Sequence, residues 1–214
     1  MAKGTVIIDP GHGGTANVGG SGANHATSAT GVLEKTMTLT MGMLVRDALV
    51  AATADGHEIT VVLTRATDVN LGLAARANVA RDNHADVFLS LHYNGFDSRT
   101  RGVETFVRPA AAGNVNHADD IAFASRVQAR VFQAVTARDA ATRNRGVKEM
   151  RLAVLEDGAL GNTAAMHPCR AALLEIEFID VPAVDRLLNT GPGAAAVQQE
   201  IANAIRDAIL EDLG

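Results

Sequence analysis

The sequence predicts an α/β protein: a single three-layer domain over residues 1–214, with helices on both faces of a twisted, mostly parallel sheet. Short β-branched apolar runs alternate with longer segments whose apolar residues recur at helical spacing. This alternation is typical of a parallel sheet with crossover helices. The 214 residues are 47% hydrophobic, which is enough to bury one substantial core. No repeat or linker-like segment indicates a second domain.

The first predicted strand is the apolar run 5–8, which stops at the turn sequence Asp9-Pro10-Gly11 and leaves His12 directly beyond it. Ligands of open α/β sheets bind just past the carboxyl ends of strands, so His12 lies where a functional group would be useful. A loop rich in Gly, Ala, Thr, Ser and Asn, roughly residues 13–32, follows. A loop of that length inside a domain is usually functional or mobile.

The other elements follow from the same two periodicities of apolar residues. Strands are expected at 58–64, 86–91, 102–107, 145–155 and 171–178. Helices are expected at 33–50, 73–83, 119–137, 181–188 and 194–213. Gly72 lies at the cap position of the second helix, and His92 follows the 86–91 strand directly.

Composition excludes several classes of protein. The net charge of −5 argues against a nucleic-acid partner, because such proteins carry a basic face. The only cysteine, Cys169, excludes a disulfide framework, and we favour a buried inert thiol over a nucleophile. No apolar run approaches the roughly 20 residues of a membrane span. No signal segment precedes the first strand, so we expect a cytosolic protein or an exported one whose signal has been removed.

Three side chains that bind metals lie at comparable places in the predicted fold. His12 and His92 follow strands, and Glu34 opens the first helix. Two imidazoles and one carboxylate, with a fourth position open to water, are a recurring ligand set of catalytic zinc. The short signature His-Glu-x-x-His is absent. Spacing therefore leaves open that His92 is an ordinary strand-end histidine and Glu34 a first-turn carboxylate favoured by the helix dipole.

Five motifs occur in a characteristic order. They are Val-Ile-Ile-Asp-Pro-Gly-His-Gly-Gly at 6–14, Gly-Val-Leu-Glu-Lys at 31–35, Val-Leu-Thr-Arg at 62–65, Ser-Leu-His-Tyr-Asn at 90–94 and Arg-Gly-Val-Glu-Thr-Phe at 101–106. Together they closely resemble the zinc-dependent N-acetylmuramoyl-L-alanine amidases of the amidase-3 type, which include bacterial autolysins, cell-division amidases and phage endolysins. The resemblance runs from about Val6 to the last helix.

The resemblance implies that Zn²⁺ is held by His12, Glu34 and His92. It implies a catalytic glutamate in a late apolar strand, where this chain has Leu-Leu-Glu-Ile-Glu-Phe at 173–178, so Glu175 takes the catalytic position. A carboxylate that ends a buried strand is costly unless it has a partner, and a role as a base explains its presence there. The implied reaction is hydrolysis of the amide between N-acetylmuramic acid and L-alanine in peptidoglycan.

The chain departs from the family pattern in two places. Glu177 stands where the family usually has glycine, and side chains two apart on a strand share a face. Glu177 therefore either shares the pocket of Glu175 or, as we favour, lies past the strand end and pairs with an arginine at the surface. The loop 157–168 is longer than usual and is expected to border the substrate groove. His167 in this loop is a minor alternative as an additional catalytic group.

The remaining predictions concern neighbouring groups and partners. Asn94 is a plausible support for a metal ligand, and Glu104 is expected to pair with an arginine. The segment 108–119 is short where some division amidases insert a blocking helix, so we expect an unblocked site that needs no protein partner. Four histidines are expected to be solvated: His25, His57, His84 and His117.

Two rival functions remain open. A zinc peptidase acting on peptidoglycan stem peptides would use the same ligand set. A non-catalytic peptidoglycan-binding module would be marked by loss of a ligand or of Glu175, and neither is lost. The role as an autolysin or a phage endolysin is not decided by these residues.

Overall fold

The computed structural model describes residues 1–161, 163–164 and 166–214. Six strands form one sheet in the order β2-β1-β3-β6-β4-β5. The strands are β1 (Lys3–Pro10), β2 (Glu58–Leu63), β3 (Val87–Asn94), β4 (Val103–Val107), β5 (Asn144–Glu149) and β6 (Arg170–Phe178). The helices are α1 (Glu34–Ala52), α2 (Leu73–Asp82), α3 (His117–Thr136), α4 (Pro182–Asp185) and α5 (Ala194–Leu213).

Strand direction determines which residues meet at the edge of the sheet where β1, β3 and β6 end, here called the upper edge. Strands β2, β1, β3 and β6 are parallel, whereas β4 is antiparallel to β6 and parallel to β5. The upper edge therefore joins the carboxyl ends of β1, β3 and β6 to the first residues of β4 and β5. The predicted mostly parallel sheet is confirmed.

Helices cover both faces of the sheet, which confirms the predicted three layers. On one face α1, α3 and α5 pack against residues such as Val6 and Ile8. On the other, α2 and the helical turns Ala153–Leu155 and Gly158–Leu160 cover Ile7. Adjacent residues of a strand point to opposite faces, so one apolar run supplies both cores. Each fully buried isoleucine contributes roughly 1.5–3 kcal/mol through the hydrophobic effect.

Two predicted elements end earlier than expected. The strand predicted at 145–155 stops at Glu149, and the chain then forms the turn Ala153–Leu155, whose side chains pack below α2. The helix predicted at 181–188 begins at Pro182 and widens after Asp185 into the helical turn Arg186–Thr190. At 145–155, a short apolar run is compatible with a strand or a buried helical turn, and packing decides between them.

The helical stretch Glu34–Asp55 is long and apolar enough to cross a membrane by length and composition. Arg46 and Asp47 interrupt the stretch, so it is not a continuous apolar run of that length. In the fold, this stretch is a core helix whose Met41, Val45 and Leu49 are buried against the sheet and α5. Core helices pass the same length test, so the stretch is weak evidence for a membrane span.

Candidate metal centre

The fold brings His12, Glu34 and His92 together at the upper edge. His12 is the second residue after β1, His92 lies near the end of β3, and Glu34 is the first residue of α1. One ligand atom from each residue lies within 4.8 Å of the others. We call these three residues the His–Glu–His cluster.

Glu34 is the centre of this cluster. Its Oε1 atom lies 3.2 Å from His12 Nε2 and 3.0 Å from His92 Nδ1. The Ala26 N–H donates to Oε2 at 2.8 Å, and the Tyr93 N–H donates to Oε1 at 3.2 Å. Burial alone would raise the pKa of Glu34, but the hydrogen bonds from both imidazoles hold that pKa well below its usual range. Glu34 is therefore a carboxylate.

His12 is held in an unusual backbone conformation. Its φ is +60°, a left-handed backbone value that residues other than glycine rarely adopt. The Nδ1–H group donates to the Gly22 carbonyl at 2.9 Å, which directs Nε2 towards Glu34. Burial alone would lower the pKa of His12, but hydrogen bonding to Glu34 raises it. Both the backbone and the ring are thus restrained from outside the residue.

Two buried arginines, Arg65 and Arg76, hold the turn that carries His12, and we call them the arginine clamp. Arg65 donates to the carbonyls of Pro10 at 2.9 Å and Gly11 at 2.8 Å. Arg76 donates to the carbonyls of Pro10 and His12, each at 2.8 Å. Three successive carbonyls of the turn are therefore bonded to guanidinium groups, which explains how the left-handed His12 is retained.

The charge of the arginine clamp is compensated in the interior. Arg76 is 1% exposed, and its Nη1 atom lies 2.7 Å from Asp9 Oδ1. Burial alone would raise the pKa of Asp9, but Arg76 and the hydroxyls of Thr64 and Ser90 lower it. Burial and repulsion by Arg76 lower the pKa of Arg65 to about 10, so Arg65 stays protonated at neutral pH. Buried charges are tolerated only when paired in this way.

Gly11 allows β1 and β3 to bring both histidines close together. A Cβ atom at Gly11 would lie 2.3 Å from Cε1 of the His92 ring. Any side chain at this position would therefore displace His92. Gly11 is therefore required because the ring of His92, a candidate metal ligand on β3, lies directly against it.

The chemistry of the His–Glu–His cluster fits a divalent metal ion. Two imidazole nitrogens and one carboxylate oxygen are the donors of many catalytic zinc sites. The second nitrogen of His12 is bonded to a backbone carbonyl, as is usual for metal-binding histidines. Without a cation, the cluster would bury a carboxylate between two imidazoles. The described residues 1–161, 163–164 and 166–214 therefore provide a donor set that could hold a metal ion.

Glu175 lies beside this cluster in the middle of the sheet. It is paired in register with His92 of β3 on one side and with Glu104 of β4 on the other. Its Oε2 atom is buried and has no hydrogen-bond partner within the described part of the chain. Burial and repulsion by Glu34 and Glu104 raise the pKa of Glu175 well above its usual value. Such a carboxyl group is suited to accept and release a proton.

Glu177 does not share partners with Glu175. Both of its oxygens are engaged, by the N–H groups of Gly102 at 2.8 Å and Phe178 at 2.9 Å, by the Thr142 hydroxyl, and by Arg101 at 3.4 Å. The predicted pairing with an arginine is confirmed, but the predicted surface location and strand end are wrong. Glu177 is fully buried, and β6 continues to Phe178. A bulge opposite Tyr93 shifts the β3–β6 register after His92, which breaks the simple two-residue alternation.

Glu104 and Asn94 form part of the same edge. Glu104 accepts from Arg145 Nε at 2.8 Å, from Lys148 Nζ, and from Asn94 Nδ2 at 2.7 Å. The predicted pairing of Glu104 with an arginine is confirmed. Asn94 was expected to support a metal ligand, but its amide donates to Glu104 instead. The sheet register places Glu104 directly opposite Glu175, so Asn94 supports the carboxylate pair rather than the cluster.

His167 lies far from the His–Glu–His cluster. Its Nε2 atom is 3.7 Å from Asp86, which immediately precedes β3 at the opposite edge of the sheet. The alternative of His167 as a catalytic group is therefore wrong. The loop 157–168 is predicted to border the substrate groove. This loop includes positions 162 and 165, which lie outside the described residues. Cys169 is buried, and this burial raises the pKa of its thiol, as expected for an inert core residue.

The groove beside the cluster is bordered by residues that precede that loop. A cavity of about 180 Å³ opens next to His12 and His92, with Leu73, Leu152 and Val154 among its apolar walls. His25, expected to be solvated, is exposed, but its ring is nearly parallel to that of His12 at a centroid distance of 6.4 Å. The upper edge thus has an apolar cavity on one side of the cluster and the Glu104 network on the other.

The arginine clamp was missed from the sequence. Arg65 belongs to one of the five motifs, but no role was assigned to it. Arg76 had a detectable signal, because it lies three residues after Leu73 and one before Ala77, on the apolar side of α2. A cation on the buried face of a helix needs a buried partner, and Asp9 supplies one.

Comparison with known proteins gives relatives over nearly the whole chain. The Amidase_3 family model, described as N-acetylmuramoyl-L-alanine amidase, matches residues 6–210. The sporulation-specific N-acetylmuramoyl-L-alanine amidase of Bacillus subtilis is 29% identical over 203 residues, covering 95% of this chain and 67% of the relative. The chain spans only 35% of an uncharacterized cell wall amidase of Bacillus anthracis and 52% of the amidase CwlM of Bacillus licheniformis.

Solved structures have the same fold. The catalytic domain of the amidase CwlV from Bacillus (Paenibacillus) polymyxa var. colistinus superimposes with a TM-score of 0.73 at 26% identity, covering 98% of this chain and 99% of that one. The CwlD amidase of Clostridioides difficile, solved in complex with the GerS lipoprotein, gives a TM-score of 0.74 at 22% identity, covering 99% and 98%. The family match over residues 6–210 establishes that the chain belongs to the N-acetylmuramoyl-L-alanine amidase family Amidase_3.

Proposed function

We propose that this protein is a zinc-dependent N-acetylmuramoyl-L-alanine amidase that hydrolyses peptidoglycan. The observation that carries the proposal is the convergence of His12, Glu34 and His92 within 4.8 Å, with Glu175 on the neighbouring strand. The cluster would hold the zinc ion, and Glu175 would act as the catalytic acid and base. Family membership supports the substrate, the amide that joins the lactyl group of N-acetylmuramic acid to L-alanine.

The reaction requires one proton to move from water to the leaving nitrogen. Water adds to the carbonyl carbon, the C–N bond breaks, and the products are a lactyl carboxylate and the free amino group of L-alanine. Glu175 accepts the proton of the attacking water and passes it to the leaving nitrogen, which its Oε2 atom permits because no described residue donates a hydrogen bond to it. A zinc ion in the cluster would polarise the carbonyl and lower the pKa of the attacking water.

The site is proposed to need no activating protein. Between β4 and α3, residues 108–116 contain one short helical turn, Ala110–Ala112, and no long helix. The GerS complex is a property of the CwlD amidase. A purified protein that remained inert on cell walls until a partner was added would contradict this part of the proposal.

The test combines metal analysis with identification of the products. Purified protein is expected to contain about one zinc per chain by elemental analysis, and a chelator is expected to abolish digestion of purified sacculi. Mass spectrometry is expected to show glycan strands with intact, unsubstituted muramic acid and released peptides that begin with L-alanine. Zinc restored after chelation is expected to restore digestion.

The rival functions predict different products. Cuts within stem peptides, with the muramoyl–alanine amide intact, would replace the amidase by a peptidase. Binding to sacculi without any cut, in zinc-loaded protein, would indicate a non-catalytic module. The proposal fails if either result is obtained.

A further inference from the structure

Two cationic side chains at the upper edge have no role in the proposed reaction. Arg145 and Lys148, here called the basic pair, both lie on β5 and both contact Oε2 of Glu104. Their side chains are 33% and 37% exposed. One carboxylate therefore serves two cations, and both remain accessible to a ligand.

The basic pair has donors to spare. Within residues 1–161, 163–164 and 166–214, Arg145 gives only its Nε–H to a side-chain acceptor, so its two terminal nitrogens are available. The guanidinium lies 5.2 Å from the centroid of the Phe178 ring, and the Lys148 ammonium lies 5.7 Å from that of Phe106. Stacking of this kind restrains both groups without using their N–H donors.

Neighbouring acids do not compensate the surplus positive charge. Glu149 accepts from the Ala110 N–H and lies 3.3 Å from His117. Glu156 pairs with Arg151 at 2.7 Å and faces Arg108 at 3.7 Å. The basic pair and Glu104 therefore leave a local net charge of about +1 beside the proposed catalytic residue.

The position of the basic pair matches one part of the proposed substrate. Glu175 and β5 are separated by two strand spacings, roughly 10 Å, and long basic side chains reach back across β4 to Glu104. Two residues of extended peptide span roughly 7 Å. A peptide whose first amide lies at Glu175 and whose chain runs towards β5 therefore brings its second residue within reach of the basic pair.

We propose that Arg145 and Lys148 form a carboxylate-binding subsite that recognises a free carboxylate on the second residue of the stem peptide. This inference rests on the proposed function for the direction of the substrate. A guanidinium with two free terminal nitrogens can bind a carboxylate through two parallel hydrogen bonds, and an ammonium adds a third contact. A carboxamide in the same place offers one acceptor and no charge, so it binds less tightly.

The test compares two muramoyl dipeptides that differ only at this group. Both are N-acetylmuramoyl-L-alanyl-D-glutamyl compounds whose γ-carboxyl group is blocked as a methylamide, and the α-group is a free carboxylate in the acid and a carboxamide in the amide. Wild-type protein is expected to show a kcat/KM about tenfold higher for the acid, mainly through KM, since a charge-assisted pair is worth on the order of one decade. In Lys148→Met and Arg145→Gln, the acid-to-amide ratio is expected to fall to within about threefold of one.

A matched control tests whether charge at any position has the same effect. Lys3 pairs with Glu58 at the other end of the sheet, and Lys3→Met removes the same charge there. The control is expected to keep the wild-type ratio. Equal kcat/KM for the two substrates in the wild type, or an unchanged ratio in both variants, would overturn the inference.

Calorimetric titration separates this inference from the proposed function. If neither dipeptide is cleaved, the amidase proposal is in doubt, but the two dipeptides can still be titrated into wild-type protein and Lys148→Met. Tighter binding of the acid that is lost in Lys148→Met would support the subsite by itself. Equal binding of acid and amide to the wild type would reject the subsite whatever the activity.

Discussion

The turn that carries His12 and the carboxylate of Glu175 face the same site but are held in opposite ways. Three successive carbonyls around His12 are bonded to the arginine clamp, and the ring is fixed by the Gly22 carbonyl. Glu175 has a buried oxygen without a hydrogen-bond partner among the described residues. His12 is thus restrained by its neighbours, whereas Glu175 has an oxygen atom that can still accept a proton.

The difference follows from what each residue is proposed to do. A metal ligand must stay in one place, and outer hydrogen bonds fix its orientation. A group that accepts and releases a proton must not have both oxygens occupied, because stable hydrogen bonds to the carboxylate would hold it ionised. Glu177, two residues away, is the opposite case: both of its oxygens accept hydrogen bonds.

The largest expected effect is on turnover, from Glu175→Gln. Loss of a catalytic acid and base commonly costs 10²–10⁴-fold, so we expect kcat on peptidoglycan to fall by about 10³-fold or more. Zinc content and thermal stability are expected to stay near wild-type values, because Glu175 lies outside the His–Glu–His cluster and its Oε2 atom has no hydrogen-bond partner among the residues that the structure describes. Muropeptide release, elemental analysis and calorimetry check the three expectations. A wild-type rate would remove Glu175 from the mechanism.

The second largest effect is expected from Arg76→Met, which removes hydrogen bonds from the turn that carries His12. Arg76→Met leaves Asp9 buried without its cation and the carbonyls of Pro10 and His12 without one donor. Loss of one partner of a buried pair costs about 3–5 kcal/mol in free energy of unfolding, and zinc affinity is expected to fall about 10–100-fold. Arg81→Met, on the exposed side of α2, is the matched control and is expected to change stability by less than about 0.5 kcal/mol.

Denaturant titration and competition with a zinc chelator measure the two consequences of Arg76→Met. If stability falls but the zinc affinity of the folded fraction does not, the arginine clamp supports the fold without positioning His12. If neither changes, the hydrogen bonds to the turn do not restrain it.

A third, smaller effect contrasts the two glutamates of β6. Glu177→Gln removes one acceptor oxygen from a group that serves two N–H groups, Thr142 and Arg101. We expect a loss of about 2 kcal/mol in free energy of unfolding, the usual cost of leaving buried donors unpaired. The kcat of folded protein is expected to change less than in Glu175→Gln. A large loss of kcat without loss of stability would instead place Glu177 in the chemistry.

The smallest effect concerns an intermediate case, Asp120. It accepts hydrogen bonds from the Ala171 N–H and Asn114, yet burial still raises its pKa to about 6. The folded state therefore holds a proton that the unfolded state, with a pKa near 3.8, releases. This contribution to stability is present below about pH 4 and is lost as the pH rises through about 6, by about 3 kcal/mol.

Chemical denaturation of wild type and Asp120→Asn between pH 4 and 8 isolates that contribution. The difference in free energy of unfolding is expected to move in favour of the variant as the pH rises, and to become constant above about pH 7. A difference independent of pH would show that Asp120 titrates alike in the folded and unfolded chain.

Local patterns in the sequence were sufficient for the sheet and for most helices. The apolar run around Ile7 predicted a strand, and the structure places this strand, β1, between β2 and β3. The last helix has the predicted bounds, Ala194–Leu213. The predicted strand at 145–155 was too long because a short apolar run does not show whether it pairs with a strand or packs as a turn.

The convergence of His12, Glu34 and His92 was expected from residue types at strand ends and from the five motifs. Periodicity, in contrast, does not report hydrogen-bond partners. The bulge at Glu177, the arginine clamp and the exposure of Arg145 and Lys148 depend on contacts between segments distant in sequence.

By itself, the sequence determined the α/β layers, the positions of the His–Glu–His cluster and Glu175, and the family, because strand ends and side-chain chemistry are local properties. Tertiary structure alone decided that hydrogen bonds engage Glu177, that Oε2 of Glu175 has no partner among the described residues, and that His167 lies at the opposite edge of the sheet. The reason is physical: the burial, pairing and pKa of a charged group depend on which segments meet around it, and only the folded chain brings them together.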